Sequence, residues 1–464
     1  MEPRDYLLRW MPGITRRREM LEHIGVSDVM ELYRDVPRSL VLSEPPSIGY
    51  GRPLSEEEVR RILDEILSRN TVYRAPPPFT GGGWCPHHVP AAVRYIVERG
   101  EFLTAYTPYQ AEINQGLLQA LFEYQSLVAD LTELEVVNAS MYDGSTATAE
   151  AALMAMRVTR RRKIVVSGGL HPEYLEVLRT WLQGRGAEIR VASVDAESGR
   201  TSTEALAGLV DGETAAVIVA SPNFYGVFED VEAAADAAHR HGALLVQVFE
   251  PLSLGLVKPP GRLGADIAVA EGQPLGLGLN YGGPGLGVFA VRWDRRLLRQ
   301  LPGRLIGMTR DAEGRRAFTM ILQTREQHIR REKATSNITT NEALMAIAAA
   351  AYLSFLGGEG LRELARSIWL RSHYAAHVLE REGVEAPAFS GEFFKEFTAR
   401  FPVEYRRVHE ELKRRGIMGG LALERYGMDP RLALFCVTEV HSRRDIDALA
   451  SAVAEALRSI ERGG

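Results

Sequence analysis

The 464-residue chain has two cysteines, Cys85 and Cys436, far apart and in no C-x-x-C pair. So few thiols exclude a cysteine zinc site, predict no disulfide framework, and fit a reducing cytoplasm. No uninterrupted apolar run approaches the ~18 residues that a membrane span needs. The start, MEPRDYLLRWMPGITRRREM, sets acids among its arginines without an apolar segment, unlike a signal peptide. Basic blocks are missing too. The 55 basic residues are scattered under a formal charge of −5, which argues against nucleic-acid binding. Lysine itself is scarce, with only Lys163, Lys258, Lys333, Lys395 and Lys413 among those basic residues.

What is present is ordinary globular material, 45% hydrophobic and 25% charged, in a chain long enough for at least two domains. The pattern divides it into an N-terminal helical extension (1–75), a large domain (76–330), and connecting helices with a small C-terminal α+β domain (331–464). In the extension, Ser55 and Glu58 have capping-box spacing ahead of EEEVRRILDEILSR. A longer helix is expected at NQGLLQALFEYQSLVADLTEL, where Leu117, Leu121 and Val128 recur at helical spacing. Strand-like runs follow at 163–167, 187–194, 215–221, 243–249, 265–270 and 287–293, with helices between the earlier ones. Apolar runs without strict alternation predict strands buried on both faces, as in a mostly parallel α/β sheet. Residues 315–383 read as three consecutive helices, and the end as two short strands with two helices.

Four segments are too polar or too rich in glycine for plain packing: 104–116, 138–151, 270–287 and 325–344. In the second, a strand-like VVNAS turns at Tyr142-Asp143-Gly144 into a helix begun by Ser145 or Thr146. Free backbone N–H groups there suit an anion or phosphate, although a plain N-cap explains the same residues. The glycines of 276–287 lead into a strand rather than a helix, so they are not a dinucleotide fingerprint. Cys85-Pro86-His87-His88 offers adjacent side chains that do not converge, and no metal is expected. Arg325, Arg330, Arg331 and Lys333 beside Ser336, Asn337 and Thr339 read either as a solvated helix end or as a surface for an anionic substrate or partner.

GEFLTAYTPYQAEINQG, NASMYDGSTA, HPEY, EPLSLGLVKPPGRLGADIAVAEGQPLG and LQTREQHIRREKATSNITTN, in this order, resemble the signature segments of glycine cleavage system P-proteins. The resemblance covers the chain from about residue 15 onward. It implies a fold-type-I pyridoxal-phosphate (PLP) transferase-like large domain, with a mostly parallel seven-stranded sheet, and a smaller C-terminal domain. In that family PLP is held by a lysine just beyond a strand and by an acid on an earlier strand. Here Glu250 stands where Asp is usual, and Gln273 takes the lysine's position; an amide cannot form an imine. Gly285-Leu286 stand where relatives commonly carry His and an aromatic.

The resemblance therefore implies the first subunit of the split P-protein, inactive alone, with no covalent PLP and with PLP in its partner, glycine decarboxylase subunit 2. An α2β2 heterotetramer in the cytoplasm would decarboxylate glycine and pass the aminomethyl group to the lipoyl arm of H-protein. Tyr106, Thr107, Tyr109, Gln110, Arg325, His328, Lys333, Ser336, Asn337 and Thr339 are the implied contributors to a pocket shared with the partner. The alternatives are a non-catalytic scaffold and a self-sufficient PLP-dependent decarboxylase or aminotransferase using an unexpected lysine.

Overall fold

The computed structural model describes residues 14–463 apart from 43, 45, 47, 339 and 340, so Thr339 lies outside the described residues. The chain forms two units, one ending at Val72 and the other beginning at Tyr73. The first holds α1 (Arg17–Ile24) and α2 (Glu56–Leu67). The capping box is formed as expected: Ser55 accepts from the Glu58 N–H while the Glu58 carboxylate accepts from that of Ser55.

The second unit is built on a seven-stranded sheet in the order β1-β7-β6-β5-β4-β2-β3. Its strands are β1 (Val136–Val137), β2 (Lys163–Ser167), β3 (Glu188–Ala192), β4 (Thr214–Ser221), β5 (Leu244–Phe249), β6 (Ile267–Glu271) and β7 (Gly287–Val291). Neighbours from β3 to β6 run parallel, whereas β7 is antiparallel to both β6 and β1. All eight residues of β4 are buried, as a strand covered on both faces requires. Helices α3 (Ala91–Val97), α4 (Gly100–Leu103) and α5 (Gln115–Thr132) precede the sheet. Between its strands lie α6 (Gly144–Thr159), α7 (Pro172–Leu182), α8 (Thr203–Leu209) and α9 (Val231–Arg240), and α10 (Arg295–Gln300) follows β7. Along α5, Leu117, Leu121, Tyr124 and Val128 form one buried stripe. Each such side chain contributes roughly 1.5–3 kcal/mol relative to exposure.

The three helices expected over 315–383 are not what forms. Residues 305–321 make a hairpin of β8 (Leu305–Arg310) and β9 (Arg316–Ile321) instead. Both Gln115 and Gln125 of α5 hydrogen-bond to its backbone, through Phe318 and Ile306. After the single turn α11 (Gln327–Arg330) comes one long helix, α12 (Ala343–Arg381), kinked at Gly357, whose φ is 61°. By length and composition it would also suit a membrane span. Yet Ala346, Ile347, Ala349 and Leu353 are buried in the same core as α5, as in a core helix. The C-terminal part of α12 packs with α13 (Tyr405–Arg414) and α14 (Arg443–Gly463) on a small antiparallel sheet ordered β10-β12-β11. Its strands are β10 (Glu396–Arg400), β11 (Leu421–Ala422) and β12 (Leu432–Cys436).

Candidate functional site

The C-terminal ends of β4, β5 and β6, the start of α7 and the loop before β10 converge on one cavity of about 110 Å3, lined by His171, Tyr174, Glu250, Glu271 and Lys395 among others. Helix α6 begins at Gly144, one residue before the expected start, because Asp143 is the N-cap and its carboxylate accepts from the Thr146 N–H at 2.6 Å. The Gly144 N–H points instead to Glu271 Oε2 at 2.9 Å. The other oxygen of Glu271 accepts from the N–H groups of Gln273 (3.0 Å) and Leu286 (3.1 Å). Burial, with the nearby Asp143 charge adding to it, pushes the Glu271 carboxyl up to about 7 against these three donors.

At the far end of β5, Glu250 Oε1 accepts from Lys395 Nζ at 2.8 Å and Oε2 from the Ser253 N–H at 2.6 Å. Lys395 lies 145 positions from Glu250 in the sequence. The fold closes that distance: Lys395 precedes β10 in the small sheet, is 3% exposed, and enters the cavity from that side. Its ammonium also donates to His87 Nε2 at 3.2 Å, which leaves the His87 Nδ1 proton to face Glu439 at 3.0 Å. Burial, then the Lys395 charge, holds His87 below its usual range, so the ring is neutral at pH 7. Gln273 is fully buried; its amide N–H groups donate to the carbonyls of Cys85 (3.0 Å) and Gly278 (3.2 Å), and Oε1 has no partner.

The cysteine expectation is overturned. Cys85 and Cys436 are joined in a disulfide with Cα atoms 6.4 Å apart, because β12 lies beside the loop that carries Cys85. An oxygen of Glu396 lies within 4.8 Å of both sulfurs. Paired sulfurs do not bind an ion as thiolates, and Glu396 already accepts from the Gly82 and Gly83 N–H groups.

Most of the described residues expected in a shared pocket lie away from the Glu250–Glu271 cavity and are exposed or partly exposed. Tyr106 and Tyr109 are 70% and 48% exposed. The Tyr109 ring meets His328 edge-on at 5.3 Å, and its hydroxyl accepts from Arg304 at 3.0 Å. Arg304, which the sequence reading missed, is buried with its guanidinium 2.6 Å from Glu326; no motif marks that pair, 22 positions apart. Asn337 accepts from the Gln327 amide at 3.1 Å, and Ser336 Oγ faces the Gly303 N–H at 3.5 Å. Both line a polar cavity of about 760 Å3 with Arg157, Arg162, Arg185 and Arg331. Arg325 turns inward and spends its donors on the carbonyls of Leu301, Gly303 and Leu322. Burial lowers its pKa to about 10. Thr107 accepts through its carbonyl from the Tyr109 N–H, while Gln110 and Lys333 are exposed. In segments 104–116 and 325–344 and next to them in sequence, Leu103, Ile113, Leu322 and Ile329 are exposed.

Residues 9–453 match the family model for the glycine cleavage system P-protein. The chain belongs to that family. The probable glycine dehydrogenase (decarboxylating) subunit 1 of Aeropyrum pernix is 57% identical over 451 residues, covering 95% of this chain and 97% of the relative. The protein of the same description from Sulfolobus acidocaldarius is 51% identical over 97% of this chain and 99% of its own length. A crystal structure of glycine decarboxylase (P-protein) of the glycine cleavage system, in inhibitor-bound form, superposes with a TM-score of 0.86 at 45% identity, over 95% of this chain and 97% of that one. A sphingosine-1-phosphate lyase from Burkholderia pseudomallei, 17% identical with a TM-score of 0.65, shares the fold alone, over 90% of this chain and 93% of its own. This P-protein chain is thus a fold-type-I PLP-transferase relative and a subunit of the glycine-decarboxylating enzyme.

The fold implies PLP, and the residues present do not fit it. The lysine position holds an amide with its donors used, and the start of α6 already holds a carboxylate. The remaining cavity, about 110 Å3, falls short of the ~300–1,000 Å3 usual for ligand pockets.

Proposed function

We propose that this chain is the PLP-free subunit of a two-chain glycine decarboxylase and lends the outer face around Tyr109 to a site completed by a lysine-bearing partner, glycine decarboxylase subunit 2. The observation that carries this reading is the contrast between the amide at position 273, buried and engaged, and the half-exposed Tyr109 and His328 over the buried Arg304. PLP in the partner supplies the electron sink for loss of the glycine carboxylate. Here Tyr106, Tyr109, His328, Lys333, Ser336, Asn337 and the undescribed Thr339 would border the shared pocket, with Thr107 and Gln110 shaping the loop. Arg325 would hold the 301–303 turn under them through its bonds to Leu301 and Gly303. The product aminomethyl group would go to the lipoyl arm of H-protein.

An α2β2 heterotetramer is part of the reading, supported by the exposed apolar side chains Leu103, Ile113, Leu322 and Ile329 in the segments around the cluster residues. A cytoplasmic setting rests on the enzyme class; with the two sulfurs paired, the cysteine count no longer supports it. We also keep 1–75, 76–330 and 331–464 as working domains, since β1 to β9 precede residue 330 and β10 to β12 follow it. Lys395, the one lysine in the cavity, does not favour a self-sufficient enzyme, because its ammonium is paired with Glu250.

The test is assembly. Mixed with a lysine-bearing partner chain, this chain should sediment as a complex of equal amounts of both, with an interface in the obligate range of ~2,000 Å2 or more. A stable monomer indifferent to the partner would overturn the reading.

A further inference from the structure

We infer that the chain fills the cofactor cavity of its fold with its own ionic groups: the Glu271 carboxylate occupies the anion position at the start of α6, and the Lys395 ammonium occupies the cation position against Glu250. This rests on the preceding reading, in which the cofactor is carried by another chain.

At the anion end, a helix start offers backbone N–H groups and the positive end of the helix dipole. Glu271 takes the Gly144 N–H of that start and adds two more donors, from Gln273 and Leu286. Space is made for it by glycines. A Cβ on Gly144 would lie 2.3 Å from the Tyr174 hydroxyl and 2.8 Å from the Glu271 nitrogen, and one on Gly285 would lie 3.3 Å from Glu271 Oε2. A phosphate brought here would meet Glu271 and Asp143, so like charge as well as volume opposes it. At the cation end, both oxygens of Glu250 are engaged, one by Lys395 and one by the Ser253 N–H. The carboxylate that would face a ring nitrogen therefore already has its counter-ion. Between the two ends, Gln273 ties the Cys85 loop to the Gly278 turn. Restoring a lysine at 273 alone would leave both ends filled.

The experiment asks whether the anion position can be vacated and refilled. Melting temperatures of the full chain and of Glu271→Ala are measured with inorganic phosphate against sodium chloride of equal ionic strength. Wild type should show no phosphate-specific rise. Glu271→Ala should melt lower and recover by at least ~2 °C with phosphate only. An equal phosphate response in both proteins, or a folded variant that ignores phosphate, would overturn the proposal. If Glu271→Ala folds only in phosphate, that is the same rescue and supports it. If it folds in neither salt, Lys395→Met decides. That variant should melt lower than wild type, and adding Glu250→Leu should restore most of the loss. No restoration overturns the proposal. Failure of the preceding reading has a separate signature: wild-type protein would retain pyridoxal phosphate absorbance through dialysis.

Discussion

The cavity at the ends of β5 and β6 and the face around Tyr109 use the same kinds of side chain in opposite ways. In the cavity Glu250, Glu271 and Lys395, and behind its wall Gln273, are turned onto one another and onto backbone, leaving about 110 Å3. On the face, the buried pair Arg304–Glu326 acts as a footing, while Tyr109 and His328 stay half open above it. Substitutions in the first region should therefore be felt as stability. Substitutions in the second should be felt as activity of the assembled enzyme.

The largest effect expected is at Lys395. Lys395→Met leaves Glu250 with an uncompensated charge beside a neutral His87, and breaking a buried pair from one side costs roughly 3–5 kcal/mol. Denaturant unfolding should show that loss, whereas activity per folded molecule in the reconstituted enzyme should hold. A large activity loss at unchanged stability would erase the distinction between the regions.

Tyr109→Ala and Asn337→Ala sharpen it from the other side. Asn337 is exposed, so its loss should change the unfolding free energy by about 1 kcal/mol or less. Tyr109 accepts from buried Arg304, and its loss should cost roughly 1–3 kcal/mol, still below the effect at Lys395. Reconstituted activity should fall at least about tenfold, the equivalent of ~1.4 kcal/mol in the barrier, with assembly intact by sedimentation. Unchanged turnover in both variants would favour a purely scaffolding subunit.

A smaller effect is expected from pH. The folded Glu271 carboxyl lies at about 7, above its ordinary 4.5. Its contribution is therefore fully present below about 4.5 and is lost as pH rises through about 7, on the order of 3 kcal/mol at most. Glu150, pushed by burial to about 7, acts in the same direction. His87, held below its usual range, acts oppositely, losing stability as pH falls below 6.5. Comparing wild type with Glu271→Gln isolates one group: the stability difference should vary with pH between about 4.5 and 7. A constant difference would contradict the burial assigned to Glu271.

Much of the fold was legible because apolar runs translate directly into buried parallel strands; KIVVS is β2 residue for residue. The hairpin β8–β9 was missed because RAFTMI has few β-branched residues, and its pairing with Leu305–Arg310 and contacts to Gln115 and Gln125 are tertiary. The glutamine at 273 could be read from spacing to the β6 strand once the family was seen. Lys395 could not be, since it reaches Glu250 across 145 positions. The disulfide was hidden in the same way, its cysteines 351 positions apart. Glu271 sits two residues before a position already singled out, but only the turn of α6 toward it shows where its carboxylate goes.

The central claim is that this chain completes a site whose cofactor is carried by its partner. Glycine-dependent CO2 release should be measured for this chain alone, the partner alone and the two mixed, each with pyridoxal phosphate and H-protein. The account expects release only from the mixture, and a fall on replacing wild type with Tyr109→Ala. Turnover by this chain alone, well above a no-enzyme background, would contradict it.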